Sequence, residues 1–269
     1  MIKNKKIPVG SYGIIKDSSD PEDLNYVIEE IRRQGYSIFD PKIKKNDLNL
    51  ISEHFDLAYS NYVKKWGLRR LNTKDEINTI RALLTYKNSI FIKLATNLKL
   101  IKIIKNLIKG KFILNQQNGI INPYGKNFSQ SKWHRDLPYQ HFISSRPLAI
   151  SALFCVDNFT ENNGATFVLP YSHKFENFPK KKEINEKAIQ VTAKSGQFII
   201  FDSMLFHCAG INISSKKRRG INHVYTIPYF KQQINLVNLI KQTKMTSKEK
   251  ELLGFNNQEP NSIEIFFRK

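Results

Sequence analysis

The sequence predicts an α+β fold, an antiparallel β sandwich or jelly roll backed by helices. Two observations carry this. The first third places apolar residues three and four apart, the spacing of helices that bury one face. From Gly110 to about Pro228 the pattern changes to short apolar runs broken by turn signals, among them Asn162-Asn163-Gly164 and Ser195-Gly196. At 269 residues and 41% hydrophobic content the chain can bury a sizeable core, and no repeat or low-complexity linker interrupts it. The expected organisation is one domain over 1–269: a helical part (1–109), a β core (110–230) and a C-terminal extension (231–269).

Taken in order, residues 1–17 read as a basic lead-in with a short apolar patch from Tyr12 to Ile15. Ser18-Ser19-Asp20-Pro21-Glu22 is a helix start, with polar cap candidates ahead of Pro and Glu. Leu24, Val27, Ile28 and Ile31 continue that helix to Gly35, and Tyr36–Phe39 alternates as a strand. Helical spacing returns over Asn46–Trp66, where His54 reads as structural. It recurs over Asp75–Tyr86 and Ser89–Leu107. Lys102, Lys105 and Lys109 form a solvated face on the last of these, and its apolar stripe reads as core rather than as a membrane-surface helix. The expected strands are Lys111–Pro123, Leu148–Val156, Ala165–Leu169, Ala188–Thr192, Gln197–Phe201 and Asn222–Ile227. Gln232–Lys269 is helical, then irregular.

The net charge is +20, from 43 basic and 23 acidic residues. Most of the basic residues are lysines scattered through an Asn- and Ile-rich chain, so composition accounts for the charge better than an anionic partner does. Nucleic acid is therefore not an expected partner. No apolar run is long enough for a transmembrane helix, and no apolar segment follows the basic Met1–Lys6. Two cysteines, Cys155 and Cys208, argue against a disulfide framework and for a reducing, cytoplasmic setting.

The chemistry centres on Trp133-His134-Arg135-Asp136. Residues two apart on an extended chain leave the same face, so His134 and Asp136 can hold one metal ion from one side. A second histidine, His207, follows the buried-type run Gln197–Asp202, and Arg218 stands eleven residues further on. A guanidinium beside a metal site binds a carboxylate through paired, charge-assisted hydrogen bonds.

These residues, with Glu161–Thr166, Leu169–Lys174 and Asn212, closely resemble the phytanoyl-CoA dioxygenase family over roughly Lys111–Pro228. The resemblance implies an iron(II)- and 2-oxoglutarate-dependent dioxygenase on a double-stranded β-helix (jelly-roll, cupin-like) core. It would use O2 and hydroxylate a C–H bond of a small-molecule substrate, releasing succinate and CO2. It makes His134, Asp136 and His207 the iron ligands and Arg218 the anchor of the distal carboxylate of 2-oxoglutarate. Gln117 becomes a further co-substrate contact, and Asn212 and Ser214 shape the loop that presents the arginine. Arg219 is expected on the opposite face, and His173 in a loop-stabilising role. His141 and His223 have no metal role, and a His134/His141 zinc pair lacks a third ligand at zinc-site spacing. Candidates for the substrate pocket are Trp133, Arg135 and Tyr139, with Phe142 and Phe154. Arg135 and Arg146 are candidates to bind an anionic substrate. Relatives that halogenate have a small residue in place of the carboxylate, so Asp136 favours hydroxylation. The sequence departs from the family at Tyr171, where glycine is usual, and at Gly196-Gln197, where Gly-Asp is frequent. Two other readings stay open: a cupin-like metalloenzyme that does not use 2-oxoglutarate, and a basic module for nucleic acid or carbohydrate on a degenerate jelly roll.

Overall fold

The structure is a computed structural model and describes residues 22–86, 88–126, 128–137, 139–240 and 244–267. The lead-in and the cap candidates at 18–21 lie outside them. Leu24, Val27, Ile28 and Ile31 bury one side of α1 (Glu22–Gln34). Gly35 ends the helix at φ 95°, and a Cβ there would meet Leu205 at 2.5 Å and the His173 ring at 2.6 Å, so only glycine fits. The strand β1 (Tyr36–Phe39) and the helix α2 (Lys45–Trp66) form as the spacing predicts.

Asp75–Tyr86 is not a helix. After α3 (Leu68–Thr73) the chain turns through Asp75 at φ 55°, forms the short strand β2 (Thr79–Ile80), and turns again through Ala82 at φ 49° into a 3₁₀ turn at Leu83–Thr85. Thr79 and Ile80 pair with Ile120 and Gly119. That non-local pairing overrides local helical spacing, which short-range pattern cannot anticipate. The expected helix Ser89–Leu107 is two helices, α4 (Asn88–Ala95) and α5 (Leu98–Ile108). The break is at Asn97, whose side chain accepts a hydrogen bond from Leu100 N at 3.1 Å and caps α5. Leu100, Ile103, Ile104 and Leu107 of α5 are buried in the core, as the solvated-face reading requires.

Among the described residues seven further strands follow: β3 (Ile113–Asn122), β4 (Ala149–Cys155), β5 (Thr166–Val168), β6 (Ile189–Val191), β7 (Phe198–Asp202), β8 (His207–Ala209) and β9 (Arg218–Thr226). A helix, α6 (Lys181–Lys187), leads into β6, and the tail carries α7 (Leu236–Leu239), α8 (Ser247–Leu252) and α9 (Ile263–Phe266). The strands form a six-stranded sheet in the order β1-β7-β4-β9-β3-β2 and a three-stranded sheet in the order β6-β5-β8. Every pairing is antiparallel.

The large sheet is buried on both faces, and period two decides what each face carries. Phe154, Phe198, Ile200, Ile221 and Tyr225 point to the helices and share one cluster with α1, α2, α4 and α5. Each such side chain contributes about 2–3 kcal/mol by burial. Cys155, Ile199 and Phe201 point the other way and pack with Phe159, Val168 and Val191 against the small sheet. Both cysteines are free and buried. Among the described residues, no helix is long and apolar enough to cross a membrane.

Candidate metal centre

The space between the two sheets ends in a cavity of about 40 Å3 that His134, Asp136, His207 and Arg218 all line. His134 is outside any continuous strand. Its backbone forms a two-way bridge with His207, N to O at 2.9 Å and 3.0 Å, so His134 extends the small sheet beside β8. Asp136 N donates to Ser203 O at 2.9 Å, which ties the same segment to the end of β7. Two rings on paired positions of one sheet must face the same way, and Asp136, two residues along, faces with them.

The donor atoms converge. His134 Nε2 is 3.8 Å and His207 Nε2 is 3.6 Å from Asp136 Oδ1, and one ligand atom from each residue lies within 4.8 Å of the others. Each Nδ1 lies by a carbonyl oxygen two residues earlier, His134 by Lys132 O at 2.7 Å and His207 by Leu205 O at 2.8 Å. A carbonyl only accepts, so each Nδ1 carries a hydrogen, and Nε2 is the nitrogen that each ring turns toward Asp136 and the cavity. Burial lowers the His207 ring to about 4 against the pull of Asp136, so the ring is neutral, the ligating form, at neutral pH. The set of two imidazoles and one carboxylate, with one side open, is that of non-heme iron(II) sites. Asp136 Oδ2 accepts from Ser151 Oγ at 2.5 Å, leaving Oδ1 for the metal side.

Arg218 opens β9 in the same cavity and is 2% exposed. Burial lowers its guanidinium to about 10, still cationic at neutral pH. It donates to Asn163 O (3.3 Å) and Gly164 O (2.9 Å) and lies 3.8 Å over the Phe159 ring. No carboxylate of the described residues lies within ion-pair distance of it. Asn212 builds the loop ahead of it: its amide donates to Asn122 O and Lys216 O and accepts from the Ser214 hydroxyl. Gly164 sits at φ 75°, where a Cβ would strike Asn122 and Gly210. Arg219 points the other way and pairs with Asp157 and Asp56 at 2.7 Å each.

The remaining expected contacts are elsewhere. Gln117 is on the helix side of β3, opposite His223, where its amide donates to Phe91 O at 2.8 Å and meets His223 Nε2 at 2.9 Å. It does not touch the cavity, because Ile120 and Asn222, which do, have the other parity. The same rule corrects Trp133 and Arg135. If His134 and Asp136 face the metal side, their odd-numbered neighbours cannot. Trp133 stacks on Phe206 behind the sheet, centroids 5.4 Å apart. Arg135 is buried, with its guanidinium donating to the carbonyls of Gln140, Ser172, Phe175 and Glu176. Tyr139 is exposed and stacks on Phe142, and Phe154 packs on Phe198 in the helix-side core. Arg146 lines a separate cavity of about 700 Å3 with Arg32, Lys109 and Lys174, so Arg135 and Arg146 do not converge on one anion.

Tyr171 takes the left-handed conformation of the usual glycine, φ 69°, and its hydroxyl accepts from Arg33 rather than facing the site. Gln197 closes its turn by accepting from Lys194 N at 2.8 Å. His173 packs beneath Gly35, and burial lowers its ring to about 4. His54 lines a cavity between α2 and α4 (with Ile51 and Leu94), and His141 meets the Phe178 ring edge to face. Sequence reasoning missed Thr166, Asn222, Ser151 and Gln130. The first three share the parity of a cavity-facing neighbour once the strand register is known; Gln130 lies in a short 3₁₀ turn with no sequence signal.

The model of the phytanoyl-CoA dioxygenase family matches residues 31–220. The chain belongs to the phytanoyl-CoA dioxygenase family. Family members work with iron(II), 2-oxoglutarate and O2, and the donor set here fits that metal. The chain is 26% identical to the protein Rv1501 of Mycobacterium tuberculosis over 91% of its own length and 92% of the relative's. It is 25% identical to the human peroxisomal phytanoyl-CoA dioxygenase over 48% of this chain and 42% of that one. Among solved structures, EctD from S. alaskensis superposes with a TM-score of 0.63 at 19% identity, covering 80% of this chain and 79% of EctD. SnoN, a non-heme α-ketoglutarate-dependent epimerase from nogalamycin biosynthesis, gives 0.60 at 16%, covering 84% and 91%. These likenesses show the jelly-roll fold, and family membership makes the chain an oxygenase of the iron and 2-oxoglutarate type.

Proposed function

We propose that this oxygenase hydroxylates a C–H bond of a small organic molecule and consumes 2-oxoglutarate as it does so. His134, Asp136 and His207 would hold iron(II), and Arg218 the distal carboxylate of 2-oxoglutarate. The observation that carries this reading is one cavity lined by three convergent ligands and a buried cation with no acidic partner among the described residues. A buried guanidinium is stabilised by an anion, and a dicarboxylic acid offers a second carboxylate for the metal side. Bound iron(II) and 2-oxoglutarate supply oxygen activation coupled to decarboxylation to succinate and CO2.

The chain's own residues do the rest. Lys132 O and Leu205 O fix the ring orientations of the two histidines. Thr166 stands in the same cavity as a second polar contact for the anion, while Ile120, Leu153 and Phe201 keep the reacting volume dry. The retained carboxylate of Asp136 favours hydroxylation over halogenation. EctD in complex with 2-oxoglutarate and 5-hydroxyectoine, and SnoN with nogalamycin RO, illustrate how different the molecules bound on this fold are. The substrate therefore has to be found by screening turnover.

The test is anaerobic titration. Iron(II) plus 2-oxoglutarate gives a weak visible absorption band in the unaltered protein that His207→Ala abolishes. Arg218→Ala weakens 2-oxoglutarate binding roughly 10- to 150-fold, the loss of a charge-assisted contact of about 1.5–3 kcal/mol. Metal binding without any response to 2-oxoglutarate refutes the co-substrate assignment, and Arg218 would then hold a substrate carboxylate.

A further inference from the structure

We infer that Ser151, backed by Ser203, is a positioning residue that locks Asp136 as a one-oxygen metal ligand. The inference rests on the metal-centre reading above and deepens it.

One serine lies within a strand of the large sheet and the other just past the end of the neighbouring strand. Ser151 is in β4 and Ser203 directly follows β7, and both are fully buried. Ser151 Oγ lies 2.5 Å from Asp136 Oδ2 and 2.8 Å from Ser203 Oγ. The direction of this chain follows from chemistry. An ionised carboxylate only accepts, so the single hydroxyl hydrogen of Ser151 goes to Asp136. Ser203 must then donate to Ser151. The result is a relay, Ser203 to Ser151 to Asp136 Oδ2, in which each hydroxyl strengthens the next. Asn222 Nδ2 adds a longer approach to the same oxygen at 3.5 Å.

The consequence lies at the other oxygen. The hydroxyl of Ser151 and the amide of Asn222 both approach Oδ2, so only Oδ1 faces the two Nε2 atoms, at 3.6 Å and 3.8 Å. A carboxylate held in this way gives one bond to a metal and cannot swing to give two. A two-oxygen Asp136 would occupy a coordination position that a co-substrate chelating through two atoms and O2 together need. The backbone of Ser203 serves the same end, since its carbonyl accepts from Asp136 N at 2.9 Å and sets the height of the side chain. Burial makes the arrangement stiff, because no water reaches either hydroxyl to replace a missing partner.

The experiment uses the full chain with iron(II), or cobalt(II) as an oxygen-stable probe, and needs no substrate. Metal affinity is measured by titration, and the carboxylate stretches by metal-loaded minus metal-free infrared difference spectra. Ser151→Ala should weaken metal binding about 10- to 100-fold, the usual effect of removing a ligand's supporting partner. It should also narrow the gap between the antisymmetric and symmetric carboxylate stretches, the mark of a second oxygen joining the metal. Ser151→Thr, which keeps the hydroxyl, should restore the wide gap, and Ser203→Ala should give a smaller loss of affinity. Full affinity and an unchanged gap in Ser151→Ala overturn this inference alone. If Ser151→Ala does not fold, Ser203→Ala decides on the same readouts, and an unaltered affinity and gap there overturn the inference. Failure of the unaltered protein to bind either metal overturns the metal-centre reading and this inference with it.

Discussion

The buried pair Gln117 and His223 predicts a distinct acid sensitivity. The Gln117 amide nitrogen lies 2.9 Å from His223 Nε2 and can only donate, so Nε2 accepts. Nδ1 then carries the hydrogen and donates to Ala152 O at 3.0 Å. Protonating Nε2 would set two donors face to face in a fully buried site. Burial lowers the His223 ring from 6.5 to about 4, against weaker opposing hydrogen bonds from the backbone. In the unfolded chain the ring titrates near 6.5. Between these values the unfolded state binds more protons than the folded one, so stability rises with pH. The contribution is complete above about pH 6.5 and is lost as pH falls through about 4. The slope is about 1.4 kcal/mol per pH unit for one proton, which integrates to roughly 3 kcal/mol. The assay is urea unfolding of the metal-free protein at pH 7.5, 6, 5 and 4.5, beside His223→Gln. The variant is less stable throughout, and its profile is flatter by about one proton's slope across that window. Parallel profiles would show that His223 takes up a proton inside the fold and would refute the tautomer and burial argument.

Two other outcomes follow from the placement of residues the sequence misjudged or could not weigh. Arg135→Ala leaves four carbonyl contacts unmet and should destabilise the protein by about 3 kcal/mol or more, a fall seen in thermal unfolding, while 2-oxoglutarate affinity of the folded fraction stays near normal. A selective loss of ligand affinity with normal stability would return Arg135 to the binding site. Gly164→Ala forces a Cβ at φ 75° against Asn122 and Gly210, and Gly164 O is an Arg218 acceptor. Weakened 2-oxoglutarate binding in titration, with metal affinity retained, is the expected result. Equal loss of both would place the damage beyond the arginine loop.

Local pattern was enough wherever a segment's partner face is set by its own period. Leu24 to Ile31, the α2 stripe and the run Phe198–Phe201 behave as their spacing says, because burying one helical face or a whole inner strand leaves little choice. Pattern failed where a distant strand intervened. Thr79 and Ile80 look helical until Gly119 and Ile120 offer sheet pairing, and Asn97 looks mid-helix until its side chain caps α5.

The sequence by itself determined the residue types of the site and the shared face of His134 and Asp136, since two residues of extended chain permit no other arrangement. The same period already excluded Trp133 and Arg135 from that face. Only the tertiary structure decided the rest. Registering β3 against β9 turns Gln117 to the helices and Asn222 to the metal side. Pairing His134 with His207 brings together candidate ligands more than seventy residues apart in the chain. Folding β4 beside β7 sets Ser151 and Ser203 behind Asp136, where two unremarkable serines become part of the site. These choices depend on which strands become neighbours, and that is a property of the whole core rather than of any window in the sequence.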